Sequence, residues 1–415
     1  MFIKKKIIFF IRHFNDYDHF TPVIWSLLKT QKFEVSVLLM NPFSESLIRN
    51  NYRTNLLKKM GAEIIGFSNS KYNFKFLMPI IGTLFRYNNF FFNLNLFAHR
   101  LGKLILYIFF KKKFQEKFIK ETSISLIKKN YKILVFDHMV DDLRKDIIKY
   151  SKIFKCKCVS LPHGVSLFRY KKKWLNNHRK KVANTYKIFD KIVFPNNSIL
   201  FYKEEKEVLK KKFLSLGSPR FSKIWINFIK KNIKIINLKQ KKIKILFLVE
   251  KSEVFIHKRK HVVADFCKQL EALSFLKSRR DLTVKIKFNT RDVNLNQRKE
   301  IQKNYNNDIS NLETSDLVEW SDIVIAGGGT SSIIQPICLN KTVICCTYFH
   351  PEHHFYFKKF KFPIEVKKFS DLVNIINNKK IIQIKSNNNR KKFLDYIILS
   401  KKNPINLHLK FFLKL

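Results

Sequence analysis

Three of the chain's nine glycines stand side by side, Gly327-Gly328-Gly329, in a sequence of 415 residues. In a chain this poor in glycine, the run constrains the fold more than any other stretch. Ile323 to Ala326, just before it, is a short apolar run of branched residues, the pattern of a buried parallel strand. Thr330, Ser331 and Ser332, just after it, suit a helix N-terminus. Ile333 to Leu339 reads as that helix, starting near Ser332 so that Pro336 falls in its first turn. Thr342 to Cys346 reads as the next strand. Strand, glycine turn, helix, strand is one βαβ unit. Such a turn presents backbone N–H groups and a positive helix end to an anion. Missing Cβ atoms let a phosphate approach the backbone. The competing reading is a tight connection with no ligand.

Composition narrows the class. The length suits roughly two to three domains, and a hydrophobic content of 46% supplies their cores. The net charge of +51 points towards nucleic acid or an anionic membrane. Yet the basic residues are spread over the whole length, in a chain rich in Lys, Asn, Ile and Phe throughout, as AT-rich coding would produce. No zinc-finger spacing and no RNP-like aromatic motif appears. A specific nucleic-acid partner is therefore not expected, while an anionic inner-membrane surface is. The six cysteines form no C-x-x-C pair and read as reduced core residues. The apolar run Ile7 to Ile11 is too short for a signal-peptide core and reads as a first strand. Phe90 to Phe110 is interrupted by His99, Arg100 and Lys103, so a clean membrane span is missing. The expected location is cytoplasmic, with peripheral attachment to the inner face of the plasma membrane.

Taken in order, the chain alternates strand and helix. After Ile7 to Ile11 comes the loop Arg12 to Phe20, then a helix from about Thr21 to Thr30 with Pro22 in its first turn. Glu34 to Met40 is a strand, Ser44 to Met60 a helix capped by Gly61, and Glu63 to Phe67 a strand. Residues 71 to 120 break the rhythm with dense aromatics and interleaved Lys and Arg. They read as helices, either an insertion covering the sheet or a basic amphipathic surface for a bilayer. Strands return at Ile133 to Phe136, Cys158 to Leu161 and Ile192 to Phe194, with a helix from Asp142 to Phe154. Phe221 to Lys242 looks like a connector. Ile243 to Val249 opens a second alternation, with a helix from about His257 to Leu276, a strand at Leu282 to Phe288, and helices at Asn294 to Lys303 and Thr314 to Ser321. Lys367 to Asn378 and Asn389 to Ser400 read as closing helices. The fold class is α/β, two Rossmann-like doubly wound domains with a helical, basic insertion in the first. The expected boundaries are 1–225 for an acceptor-side domain (insertion about 71–130), 226–242 for a linker, 243–385 for a nucleotide-donor domain and 386–415 for a basic helical tail.

Four groups of residues carry candidate chemistry. Lys287 and Arg291 end the strand before the glycine-loop strand, which puts them at the same carboxyl edge as Gly327 to Ser332. Together they can neutralise a diphosphate leaving group. His163, in Pro162-His163-Gly164 past a strand end, suits a general base or phosphate ligand. Asp16 and Asp18, in a loop with Arg12, His13 and His19, are candidate bases for an acceptor hydroxyl. Capping of the next helix is the competing role. Asp137 and His138 form a weaker pair of the same kind. His350-Pro351-Glu352-His353-His354 lacks the helical i, i+4 spacing of zinc motifs and reads instead as a loop lining the nucleotide end of a cleft.

The blocks R-H-F-N-D-Y-D-H-F-T-P, V-F-D-H, L-P-H-G, L-G-S-P-R-F, V-K-I-K-F-N-T-R and S-D-I-V-I-A-G-G-G-T-S-S occur in an order that resembles the GT-B-fold surface-polysaccharide transferases of bacteria. That group is similar to UDP-N-acetylglucosamine 2-epimerases and CDP-glycerol glycerophosphotransferases. The resemblance spans about residues 5 to 350. It departs from the glycerophosphotransferases at Asn289 and Thr290, where that family carries His and Pro. It departs from many GT-B enzymes at Gln335, where they place a ribose-binding Glu.

The resemblance implies a glycosyltransferase. It moves a sugar from a nucleotide-activated donor to a surface-glycan or lipid-linked acceptor, without cofactor or metal. Donor binding is expected from Lys287, Arg291, Gly327, Gly328, Gly329, Thr330, Ser331, Ser332 and Gln335. Catalysis is expected from Asp16, Asp18 or His163. Arg12, Asp137, His138, Gly217, Ser218 and Arg220 are further candidates. The alternatives are a CDP-glycerol-type glycerophosphotransferase, a 2-epimerase acting on a free nucleotide sugar, and a non-enzymatic polyanion-binding protein at the membrane surface.

Overall fold

Short runs of Ile, Val, Leu and Phe recur between longer mixed stretches, and the central runs, such as Ile7–Ile11, Ile133–Phe136 and Ile323–Ala326, fold into strands buried on both faces. The computed structural model describes residues 4–69, 112–138, 141–162, 164–165, 167–170, 187–196, 212–231, 242–251, 253–256, 259–262, 264–288, 295–310, 312–350, 353–378 and 387–415. These form two units. Unit 1 comprises 1–164, 176–220 and 402–415, and unit 2 comprises 165–175 and 221–401.

Unit 1 begins with β1 (Lys5–Ile11), α1 (Phe14–Lys29), β2 (Phe33–Leu39), α2 (Pro42–Arg49), α3 (Tyr52–Lys59) and β3 (Glu63–Ile65). It continues with α4 (Lys112–Lys128), β4 (Ile133–Asp137), α5 (Asp142–Ile153) and β5 (Lys157–Leu161). The chain then contributes β6 (Phe168–Tyr170) to unit 2 and returns for β7 (Lys191–Phe194) and β8 (Phe213–Ser215). Unit 2 continues with α6 (Lys223–Lys230), β9 (Ile243–Val249), the hairpin β10 (Glu253–Ile256) and β11 (Arg259–Val262), α7 (Phe266–Ser278), β12 (Leu282–Phe288) and α8 (Leu295–Tyr305). After these come α9 (Thr314–Trp320), β13 (Ile323–Ala326), α10 (Ile334–Cys338), β14 (Thr342–Cys346), β15 (His353–Phe355), β16 (Ile364–Val366), α11 (Phe369–Asn377) and α12 (Asn387–Ile398). The last helix, α13 (Pro404–Lys414), belongs to unit 1.

Both main sheets are parallel. Unit 1 has the order β3-β2-β1-β4-β5-β7-β8, and unit 2 has β12-β9-β13-β14-β16. Alternate residues of each strand feed opposite faces. In unit 1, Ile8, Phe10, Leu134 and Phe136 pack against Ile119 and Leu126 of α4 and Ile147 of α5. On the other face Phe9 meets Phe20 of α1 and Phe412 of α13, with ring centroids 6.1 and 6.2 Å apart. In unit 2, Leu246, Leu248 and Val324 face α9, α10 and α12, while Ile245, Phe247 and Ile325 face α7 and α11. This is the doubly wound α/β arrangement that the alternation predicts.

Several boundaries differ from the sequence expectation. The stretch Arg12 to Phe20 is mostly helical, because α1 starts at Phe14, so Pro22 lies inside the helix and not in its first turn. Asn51 splits the expected 44–60 helix by accepting the Arg53 N–H at 3.0 Å as the cap of α3. The β10–β11 hairpin replaces the first part of the expected 257–276 helix. Helix α6 packs into unit 2, with Trp225 fully buried, where a connector was expected. The residues expected to form one tail instead form α12 in unit 2 and α13 in unit 1. Of the expected insertion, α4 is described, and 70–111 lie outside the described residues. Among the described residues, no helix is long and apolar enough to cross a membrane.

Candidate functional site

Each sheet has one place where its strand order reverses, and open α/β sheets hold ligands at the carboxyl ends of the strands there. In unit 2 the chain runs from β9 outward to β12, then crosses back to β13 on the other side of β9. Glu250 follows β9, and Gly327 follows β13. The residues that meet in this crevice are Glu250, Gly327 to Ser332 and His350.

The Glu250 carboxylate accepts the Gly329 N–H, with its two oxygens 3.2 and 3.1 Å from the nitrogen. The same carboxylate hydrogen-bonds His350 Nε2, and both side chains are buried. Gln269 fixes the backbone behind them, accepting the Glu250 N–H at 2.9 Å and donating to the Glu250 carbonyl at 3.2 Å. The glycines follow from this packing. A Cβ on Gly327 would lie 2.5 Å from His350 Nε2, and one on Gly329 would lie 2.7 Å from Glu250 Oε2. Gly328 has φ +90°, and a Cβ there would meet Phe355 and Phe357 at 3.2 Å. Absent side chains thus admit the protein's own Glu–His pair to the back of the turn. At its front, Thr330 Oγ1 accepts the Ser332 N–H at 3.2 Å and starts the helical turn leading into α10. The N–H groups of Thr330 and Ser331 make no hydrogen bond among the described residues. Gln335 is buried within α10.

Lys287 lies two strands from β13, at the far side of β9, a lateral separation of roughly 10 Å. Its Nζ donates to the Leu312 carbonyl at 2.6 Å. Burial lowers its pKa to about 8, against the pull of Glu313 and Asp316. The structure thus ties Lys287 to the turn before α9, and no hydrogen bond joins it to the glycine turn among the described residues. Arg291 lies outside the described residues.

In unit 1 the order reverses between β1 and β4. Arg12 follows β1, and its guanidinium donates to Asp137 Oδ2, at the end of β4, at 3.0 Å. Arg144 donates to the other oxygen of Asp137 and to Asp141 at 3.0 Å. Asp137 and Arg144 are both buried, so an ion-pair network fills the base of this crevice. Asp16 accepts the N–H groups of Arg12 and His13 at 3.2 and 2.9 Å and so caps α1. Asp18 is partly buried between Arg53 and Arg220, the latter at 2.9 Å. Burial alone would raise its pKa, but the Arg220 and Arg53 guanidiniums hold it below the usual value. His138 Nε2 pairs with the Val193 carbonyl at 2.9 Å, and burial lowers its pKa to about 4.

Arg220 also reaches His19 Nε2 at 3.3 Å. Gly217 has φ +79°, and Ser218 is buried beside it. His163 lies outside the described residues, as do Pro351 and Glu352. Among the described residues, no group of three His, Cys, Asp or Glu side chains is placed to hold a metal ion.

The structure thus brings Gly327 to Ser332 together with His350, and separately Arg12 with Asp137 and Asp18 with Arg220. It does not bring Lys287 to the glycine turn. Glu250, Arg53, Asp141 and Arg144 were missed in the sequence. Glu250 had a signal, because it directly follows a strand end. Arg53 and Arg144 lie within helices of a Lys-rich chain and had none.

No protein-family model and no characterised protein sequence matches the chain. Solved structures do. UDP-GlcNAc 2-epimerase from Neisseria meningitidis, bound to UDP-GlcNAc, aligns with a TM-score of 0.57 and 13% identity over 100% of both chains. The S. aureus MnaA–UDP complex aligns with a TM-score of 0.55 and 10% identity, covering 99% of this chain and 97% of that one. The wall teichoic acid polymerase TagF, soaked with CDPG, aligns with a TM-score of 0.54 and 10% identity, covering 98% of this chain and 86% of that one. The protein therefore has the two-domain GT-B-like fold that the epimerases and the teichoic acid polymerase share.

Proposed function

We propose that the chain is a glycosyltransferase that takes a sugar from a nucleotide-activated donor and places it on a hydroxyl of a cell-surface glycan or a lipid-linked acceptor. One observation carries this reading. The glycine turn opens at the reversal point of the unit 2 sheet, with the N–H groups of Thr330 and Ser331 making no hydrogen bond among the described residues. Two such groups at the start of a helical turn are donors for a phosphate. That the fold neighbours were solved with UDP, UDP-GlcNAc and CDPG supports a donor of this class.

In this reading the acceptor oxygen attacks the anomeric carbon, and the bond from that carbon to the phosphate oxygen breaks. The electron pair leaves with the nucleotide. Thr330, Ser331 and Ser332 hold the developing charge on the phosphate, and no metal is required. A base must take the acceptor proton. Asp16 is committed to capping α1, and two guanidiniums make Asp18 a weak base. His163 is therefore our candidate. Thermal stabilisation by UDP, CDP, GDP and CMP tests the reading. A selective shift that disappears in Ser331→Glu supports it, and no shift with any nucleotide overturns it. A response confined to CDP-glycerol would favour glycerophosphotransfer instead.

A further inference from the structure

A parallel sheet gathers the starts of all its strands at one edge, and in unit 1 nearly every start is marked by lysine. We propose that this amino edge of unit 1 docks onto an anionic lipid bilayer. Backbone hydrogen bonds show how closely the lysines are set. Lys5 N–H donates to the Lys32 carbonyl at 2.9 Å, Lys132 N–H to Lys6 at 3.1 Å, and Lys157 N–H to Lys132 at 2.7 Å. Neighbouring strands lie about 4.8 Å apart, and the Debye length is about 8 Å at physiological salt, so adjacent lysines act as one field. Lys4, Lys32, Lys59, Lys132, Lys155 and Lys187 are all exposed. None of the six forms an ion pair among the described residues.

Three carboxylates share the edge. Glu34 pairs with Lys6 at 3.3 Å, Glu63 accepts the Ser36 hydroxyl, and Asp190 accepts the Cys158 N–H. They leave a clear positive excess. The same edge of unit 2 is different. There Lys242 and Lys341 precede β9 and β14, but Arg279 pairs with Asp281, Lys277 with Asp308 and Lys230 with Glu319, and Asp322 precedes β13, so acidic partners offset much of the charge. A compositional bias towards lysine would mark both edges alike.

An apolar group sits within the same edge. Ile153, the last residue of α5, is 74% exposed, against 45% for Leu47 and 44% for Ile224. It lies between Lys152 and Lys155, both exposed. An isoleucine ringed by lysines fits a headgroup layer, where the lysines meet lipid phosphates and carboxylates and the isoleucine reaches the acyl boundary. A nucleic acid would use the lysines and gain nothing from Ile153. The proposal does not depend on the donor site, which lies at the carboxyl edge of the unit 2 sheet.

The test is flotation of the full chain with phosphatidylcholine vesicles, with and without about 30 mol% phosphatidylserine. Binding is expected only to the anionic vesicles, and it should weaken with salt. The triple variant Lys32→Gln, Lys59→Gln, Lys155→Gln should lose about five-fold per lysine, roughly 100-fold in all. Ile153→Ser should lose about three- to ten-fold. A control triple, Lys303→Gln, Lys361→Gln, Lys367→Gln, changes net charge equally on exposed residues of unit 2 and should bind as the wild type does. Equal losses in the two triples would mean that binding follows net charge, and would overturn the proposal. So would an absence of vesicle binding, or an Ile153→Ser variant that binds undiminished.

Discussion

The two sheets reverse their strand order in the same way, yet the chain fills the two crevices with different chemistry. In unit 1, Arg12 and Arg144 converge on Asp137 across the ends of β1 and β4. Each oxygen of the Asp137 carboxylate is held by a different guanidinium, so the network works as a fixed lock. In unit 2, a Glu–His pair fills the back of a glycine turn, while two backbone N–H groups remain open at the front. Topology makes both crevices possible ligand sites. The difference teaches that topology alone does not decide which crevice is filled by side chains and which leaves backbone donors at its mouth.

The comparison breaks most readily at Asp137. Replacing it with Ala leaves the Arg144 guanidinium, buried beside it, with Asp141 as its remaining carboxylate and removes the acceptor of Arg12. We expect unfolding free energy to fall by about 3 kcal/mol, because a buried guanidinium loses the buried one of its two counter-charges. Urea melts of Asp137→Ala measure this. A loss below about 1 kcal/mol would mean that the network is no lock.

A smaller effect sharpens the other side. Gly327→Ala would push a methyl group into His350, and we expect a loss of about 1–3 kcal/mol from overpacking. The double variant with His350→Ala should recover part of that loss. If Gly327→Ala alone melts like the wild type, the Glu–His pair is not what requires glycine there.

Much of this was legible beforehand, for identifiable reasons. Strands β13 and β14 match their expected limits, because branched apolar runs bounded by Gly, Asn and Lys have only one reading. The helical start at Phe14 was hidden because His and Asp look like loop residues until Asp16 is seen reaching back to two backbone N–H groups. The hairpin β10–β11 was hidden by a stretch with no turn glycine or proline. At the site, the glycine run was plain, but its packing partners are 77 and 23 residues away from Gly327 along the chain (327 − 250 and 350 − 327). Pairings of that range leave no local pattern. Lys287 shows what a strand-end position leaves open. Its position at a strand end suggested a phosphate ligand, while its amine turned to a nearby carbonyl.

That placement of Lys287 yields a pH-dependent test. Its folded-state pKa of about 8 lies below the ordinary value of 10.5, with burial the largest cause. Folding therefore disfavours the protonated amine. The penalty is complete below about pH 8 and fades as the pH rises towards 10.5, where the unfolded chain also loses its proton. Lys287→Met should gain roughly 1 kcal/mol at pH 7, offset in part by the lost bond to Leu312, and the gain should shrink by pH 10. Thermal melts at both pH values measure it. A gain that grows with pH would contradict the burial argument.

The finest test concerns Glu250 itself. Its carboxylate lies against the Gly329 N–H, one residue from the open N–H of Thr330. A donor phosphate bound at Thr330 and Ser331 would feel this charge at short range. Two like charges about 8 Å apart, at an effective dielectric of about 20, repel by about 2 kcal/mol. Glu250→Gln keeps the shape and an acceptor for Gly329 while removing the charge. Nucleoside diphosphate affinity should then rise by about thirty-fold in titration calorimetry. Such a rise would make the Glu–His pair a brake on the donor site, the opposite of the lock in unit 1. Unchanged affinity would put Glu250 in the same class as Asp137, a carboxylate that only closes its own crevice. The contrast between the two reversal points would then rest on the glycine turn alone.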